Sequence, residues 1–189
     1  MQFDLAPFAL PDGYAEGVVS LEDLKAHLAI LGSDEDAYIS LCRDAAVDMV
    51  EQYCGVYLAT RTGVEWRSES LPARPDLGVW PIEEVTGVAW LDSKGSDETG
   101  EASDWRVVGK SEITLKPGAE TPSDVAAGVV ITFSAGFDSA NRPPALVRAV
   151  KMFAAHLFVH RGDDEAGEIS MEVPLGFRRV CAPYRRPRI

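Results

Sequence analysis

Apolar residues recur at helical spacing in three stretches of the chain, and alternate with polar ones in the long stretch between the second and the third. Ser20 followed by Asp23 marks a helix start, because a serine hydroxyl caps free amides and an acid in the first turn favours the positive helix end. Leu21, Leu24, Leu28 and Leu31 then fall on one face, and Gly32 ends the run. Ser33 is placed to cap a second helix over Glu35 to Tyr53. Its apolar positions Ile39, Leu41, Cys42, Ala45, Ala46, Met49, Val50 and Tyr53 form one broad face before the Gly55 stop. These two elements predict a helical hairpin. After Arg142-Pro143-Pro144, where a first-turn proline removes only an amide that would be unpaired, Leu146, Val147, Val150, Phe153, Ala154, Leu157 and Phe158 predict a third helix. It runs to His160, ends at Gly162 and is expected to pack on the hairpin.

Between the hairpin and this helix the chain is punctuated by glycine and proline. The runs RTGVEWRS, EEVTGVAWLD, DWRVVG, SEITLK and GVVITFSAG alternate or are rich in β-branched residues, which predicts strands and turns. All four tryptophans (Trp66, Trp80, Trp90, Trp105) lie here and are read as the core of a small sheet. The predicted fold is therefore α+β: a helical hairpin plus a long third helix forming a bundle, a β-rich insertion between helices 2 and 3, and an extended C-terminal tail. On this reading one domain spans 1–189. It divides into a lead and hairpin over 1–60, the insertion over 61–142, the third helix over 143–162, a mobile acidic loop over 163–177 and a basic tail over 178–189.

Charge sharpens that division. The 189 residues carry a net charge of −12, but residues 1–60 hold eleven acids against two bases, whereas 178–189 hold five arginines and no acid. An acidic body disfavours duplex binding through a broad basic face. The two prolines of the tail argue for extended backbone there. With 46% hydrophobic and 25% charged residues the composition is that of a globular protein, and a chain of this length buries roughly 70% of its unfolded surface. No apolar run reaches the roughly 20 residues of a membrane span, and MQFDLAPFALPDG lacks the basic start of a signal peptide, so the expectation is a protein that stays where it is made. Cys42, Cys54 and Cys181 are odd in number and widely spaced, which fits reduced, buried thiols rather than a disulfide framework.

Motifs for catalysis are weak throughout. His156 and His160 have the i, i+4 spacing of a zinc-binding helix, but the intervening residues are Leu157, Phe158 and Val159, so the water-activating glutamate of HExxH is missing. One half-buried and one exposed helix-face histidine is the simpler reading. No GxSxG turn is present; Ser134 lies at a strand end without a partner base, Cys54 also lacks one, and Cys181 is expected in an exposed tail. No phosphate loop occurs, and Asp34-Glu35-Asp36 and Asp163-Asp164-Glu165 lack the ligand order of a calcium loop. The sequence calls for no metal and no cofactor.

The order of blocks is more informative than any single motif. VSLEDLKAHLAI, DEDAYISLCRDAAVDMVEQYCGVYLATRT, LPARPDLGVWPIEEVTGVAWLDSKG, VVITFSAGF, RPPALVRAVKMFAAHLFVHRG and APYRRPR together resemble the head-to-tail connector (adaptor) proteins of long-tailed phages and phage-like gene transfer agents. The resemblance covers nearly the whole chain; Trp80 before Pro81 and the extra Arg-Pro-Arg of the tail depart from it. It implies a structural virion protein, not an enzyme, assembled as a ring of about twelve copies that joins the portal to the tail and extends the DNA channel. Its implied partners are the portal protein, an adjacent tail or stopper protein and further copies of itself. DNA would pass without sequence-specific binding, helped by the acidic body. The implied location is the neck of a particle made in the bacterial cytoplasm. The basic tail from Arg178 and Arg179 onward then becomes the candidate portal-binding segment, with Tyr184 as aromatic anchor and Arg185, Arg186 and Arg188 as charge partners. Another virion or tail-completion protein, or a small enzyme or binding module, are the competing readings.

Overall fold

The computed structural model describes residues 3–6, 10–161 and 175–185. It is α+β, with four α-helices, a five-stranded antiparallel sheet and a separate two-stranded hairpin. The chain divides into two compact units, one of Met1–Leu10 with Thr60–Phe137 and the other of Pro11–Ala59 with Asp138–Ile189.

The first unit holds the strands. These are β1 (Asp4–Leu5), β2 (Arg61–Ser68), β3 (Ile82–Leu91), β4 (Asp97–Gly100), β5 (Trp105–Val108), β6 (Glu112–Leu115) and β7 (Ala127–Ala135). The sheet order is β1-β2-β7-β3-β4, all antiparallel, and β5 pairs with β6. Five of these strands fall on the alternating runs of the sequence. The other two, β1 and β4, are short edge strands whose residues carry no alternation and are ordered by pairing with β2 and β3. The central β7 alternates as a half-covered strand should: Val129, Ile131 and Phe133 are buried, with Ile131 opposite Trp66 and Phe133 opposite Val64 and Val85. All four tryptophans are buried, and the Trp66 indole donates to the Asp76 carbonyl at 3.1 Å. Phe3 stacks on Trp66 with ring centroids 5.8 Å apart. Its ring also closes over Gly78, where a Cβ would come within 2.7 Å of it and φ is +81°, so only glycine fits.

The second unit holds α1 (Leu21–Leu28), α2 (Asp36–Cys54), α3 (Pro144–Val159) and α4 (Leu175–Cys181). The Ser20 hydroxyl accepts from the Asp23 amide at 3.0 Å, as its position predicts. In this unit α3 packs on α2 and α1, while α4 packs on α3 and α2. The shared core is Leu24, Ile39, Ala46, Val50, Leu146, Val150, Phe153 and Phe177.

Several expectations are corrected here. The helix α1 stops at Leu28 because Ala29 turns left-handed (φ 58°), so Leu31 is not on its buried face but 100% exposed. Ser33 does not cap α2; Glu35 occupies that position and Ser33 only accepts the Asp36 amide through its carbonyl. Leu41, assigned to the apolar face, points outward. The segment expected to be loop to residue 177 and extended beyond is helical from Leu175 to Cys181, followed by a 3₁₀ turn over Ala182–Tyr184. Burial of Phe177 and Cys181 four residues apart supplies the reason: one apolar face outweighs the local basic charge, and Pro183 acts only after the α-helix has ended. Residues 163–174 of the predicted acidic loop lie outside the described residues.

Candidate interaction surfaces

The helical unit is held together by a buried polar cluster that the apolar pattern did not single out. Glu51 sits on the inner face of α2, 5% exposed, where its Oε1 accepts from the Tyr14 hydroxyl at 2.5 Å and the Leu58 amide at 2.6 Å. The Tyr14 oxygen in turn accepts from the Ala59 amide at 3.1 Å. Arg142 donates from Nε to the Leu58 carbonyl at 2.6 Å and from Nη1 to the Gly17 carbonyl at 2.8 Å. Burial lowers its pKa, opposed by the charges of Tyr14, Asp138 and Glu51. The only hint in the sequence is an acid four residues after Val47 and three before Cys54, on an otherwise apolar face.

Against this frame α4 is seated by aromatic contacts. The Phe177 ring meets Tyr53 edge-on at 5.4 Å and Phe153 at 5.2 Å. The Cys54 thiol donates to the Cys181 carbonyl at 3.9 Å. Cys181 is fully buried, not exposed as expected, and the neighbouring Cys54 thiol together with burial pushes its own thiol well above the usual range. It is therefore a packing residue rather than a nucleophile.

The predicted tail residues separate into three groups. Arg178 and Arg179 are exposed on the outer face of α4. Tyr184 is half-buried in the 3₁₀ turn, and the Arg185 guanidinium lies 5.2 Å from the Tyr53 ring centre. Arg186 and Arg188 fall outside the described residues. The structure thus places Arg178 and Arg179 together on a folded helix and keeps Tyr184 and Arg185 at its end.

Outward-facing apolar residues mark the rest of the unit. Leu31, Leu41, Val159 and Leu175 are exposed at or between helices. At the junction of α2 and α3, Arg161 pairs with Glu35 and stacks on Tyr38 at 3.8 Å, while the Tyr38 hydroxyl donates to the Leu157 carbonyl at 3.3 Å. Lys25 pairs with Asp36 at 2.6 Å. Two members of the acidic triplet 34–36 are therefore occupied by ion pairs; the triplet 163–165 lies outside the described residues.

The residues considered for catalysis are scattered. His156 is half-buried and His160 exposed, with rings 4.2 Å apart. Ser134 is buried within β7. Among the described residues no three His, Cys, Asp or Glu side chains converge to hold a metal, and no helix is long and apolar enough to cross a membrane.

Comparison with known proteins gives a consistent picture. Residues 18–79 match the family described as phage gp6-like head-tail connector protein. Three solved structures share the fold along the whole chain, each covering 100% of it and 97% of the matched protein. They are the "Neck of empty GTA particle computed with C6 symmetry" (23% identity, TM-score 0.75), the "Virion of native gene transfer agent (GTA) particle" (24%, 0.71) and the "Neck of native GTA particle computed with C12 symmetry" (23%, 0.69). No curated protein sequence matches.

Proposed function

We propose that this chain, with its connector-family segment and the fold of a gene transfer agent neck protein along its whole length, is a structural head-tail connector of a phage or phage-like particle. The observation that carries this reading is the end-to-end match to a chain from an assembled neck, 100% of one against 97% of the other. The helices are the body of the protomer and the strands of residues 61–137 a lobe inserted between α2 and α3. A ring of about twelve copies would join the portal to the tail, receive a tail or stopper protein below and leave a passage for DNA. A connector of this kind acts through its surfaces, so the role asks for no catalytic centre. The protein would be made in the bacterial cytoplasm and end in the particle neck. DNA would pass it without sequence-specific contacts, because an acidic lining repels the phosphate backbone that a basic wall would hold.

Electron microscopy of particles carrying a tagged copy tests the reading. The tag is expected as a closed ring between head and tail, and deletion of the gene is expected to leave heads and tails unjoined; normally joined particles would overturn it.

The portal contact is assigned to the end of the chain, with Tyr184 as anchor and Arg185, Arg186 and Arg188 as charge partners. Because α4 is seated by Phe177 and Cys181, the informative truncation removes only 185–189 and leaves that helix whole. Capture by the purified portal should be lost while the circular dichroism spectrum is kept, and undiminished capture would refute the assignment.

A further inference from the structure

The helical unit is electrically divided along its own sequence. Residues 11–59 carry ten acids and two bases, whereas 138–189 carry nine bases and six acids, five of the six within 162–174. The first half presents Leu41 outward from α2, and the second presents Leu175 from α4 and Val159 from the end of α3. On α2 the exposed stripe is Ala37, Leu41, Asp44, Ala45 and Asp48, with Leu41 63% exposed and an alanine one turn to either side. On α4 the outer face is Leu175, Arg178 and Arg179, with Leu175 84% exposed.

From this we infer that the outer stripe of α2 is covered by the outer face of α4 from a second copy of this chain. The inference deepens the connector reading, on which its closure into a ring rests. Laid in the same direction, the two stripes put leucine beside leucine and Arg178 and Arg179 beside Asp44 and Asp48; Ala37 and Ala45 leave room for the incoming side chain. Arg43 contacts Asp44 at 3.0 Å but is shared with Glu16, and Gln52 donates to Asp48 at 2.6 Å, so the stripe keeps net negative charge. Neither Arg178 nor Arg179 has an ion-pair partner among the described residues.

The α4 of the same chain cannot make this contact. It is seated beside Tyr53, twelve residues or about 18 Å along α2 from Leu41. Two α2 stripes laid on each other would gather Asp44 and Asp48 of both copies in one contact with no base in the stripe to offset them. Faces of opposite sign on one protomer make a head-to-tail contact, which repeats from copy to copy and closes into a ring when the rotation allows.

Two experiments on the full-length chain test this. Equal amounts of Leu41→Cys and Leu175→Cys protein, assembled together and treated with a short bis-maleimide, should give a cross-linked dimer that neither protein gives alone. The native cysteines are buried and provide little background. A dimer from either single variant, or none from the mixture in assembled rings, overturns the interface; the latter is also the outcome if residues 162–174 of the same chain cover Leu41. Separately, Asp44→Arg/Asp48→Arg and Arg178→Glu/Arg179→Glu should each reduce assembly by about tenfold or more, and the four changes together should restore it to within about twofold. Doubles that assemble normally, or a quadruple variant no better than the doubles, refute the pairing. Normal assembly of the doubles with the chain still in the neck refutes this interface alone, whereas cross-linked copies with the chain absent from the neck refute only the connector reading.

Discussion

Glu51 is a carboxylate held in the interior of the helical unit by donors from two segments. Removing its oxygens leaves the Leu58 amide without its acceptor in the interior and takes the nearer of the Tyr14 hydroxyl's two acceptors, the Ala59 carbonyl at 3.1 Å being the other. Glu51→Ala is therefore expected to destabilise the protein by about 3 kcal/mol in urea denaturation, more than Tyr14→Phe, which removes the donor to Glu51 and the acceptor of the Ala59 amide but leaves the carboxylate its bond from Leu58. Asp138 behaves differently, being solvent-exposed. Its carboxylate accepts from the Asn141 side chain at 2.5 Å and from the amides of Ala140 and Asn141 at 2.7 and 2.9 Å, and these bonds hold its pKa below the usual aspartate range. A depressed folded pKa contributes stability that is complete above the unfolded value and is lost as pH falls through the folded one. Asp138→Ala should accordingly lower the melting temperature near neutrality and flatten its decline in acid, as thermal melts across that range would record.

At the scale of elements, α4 shows how seven residues become a helix. An isolated helix of that length does not hold in water, so α4 depends on the seat provided by Tyr53, Phe153 and the Cys54–Cys181 contact. Phe177→Ala should remove about 3–5 kcal/mol of packing, and its effect should be local. Amide exchange over 177–182 is expected to become fast while α1, α2 and α3 stay protected; loss of protection throughout would show that α4 is integral to the unit. The contrast with α1 is instructive. There the Ser20 cap is a local device, and Ser20→Ala should cost about 1 kcal/mol whatever surrounds it.

For the molecule as a whole, the separation of acids from bases in the helical unit leads to a prediction about association. If opposite faces of neighbouring copies meet, the contact contains exposed ion pairs, which salt screens over about 8–10 Å at physiological strength. Self-association measured by sedimentation velocity should weaken steadily with added salt, and the quadruple charge-swapped protein should follow the same course. An association that strengthens with salt would point to a purely apolar contact.

Much of the architecture was legible in the chain. Periodicity placed α2, α3 and five strands within a few residues, since these elements bury a regular face, and it assigned the tryptophans to a core they do occupy. The order of blocks identified the family that residues 18–79 match. What the pattern misassigned depends on contacts between residues far apart in sequence. Leu31 and Leu41 are apolar at positions that periodicity assigns to the core, but the neighbouring helices cover other faces. The terminal RRVC stretch has the charge of a tail, yet Phe177 and Cys181 find a pocket made by α2 and α3. The partnership of Tyr14, Glu51 and Arg142 spans 128 positions, and no local spacing encodes it. Sequence alone determined the long elements, because helix and strand periods are written in neighbouring residues; tertiary structure decided the short β1, β4 and α4, which polar groups are buried and which apolar ones face outward, because those depend on what the chain brings back against them.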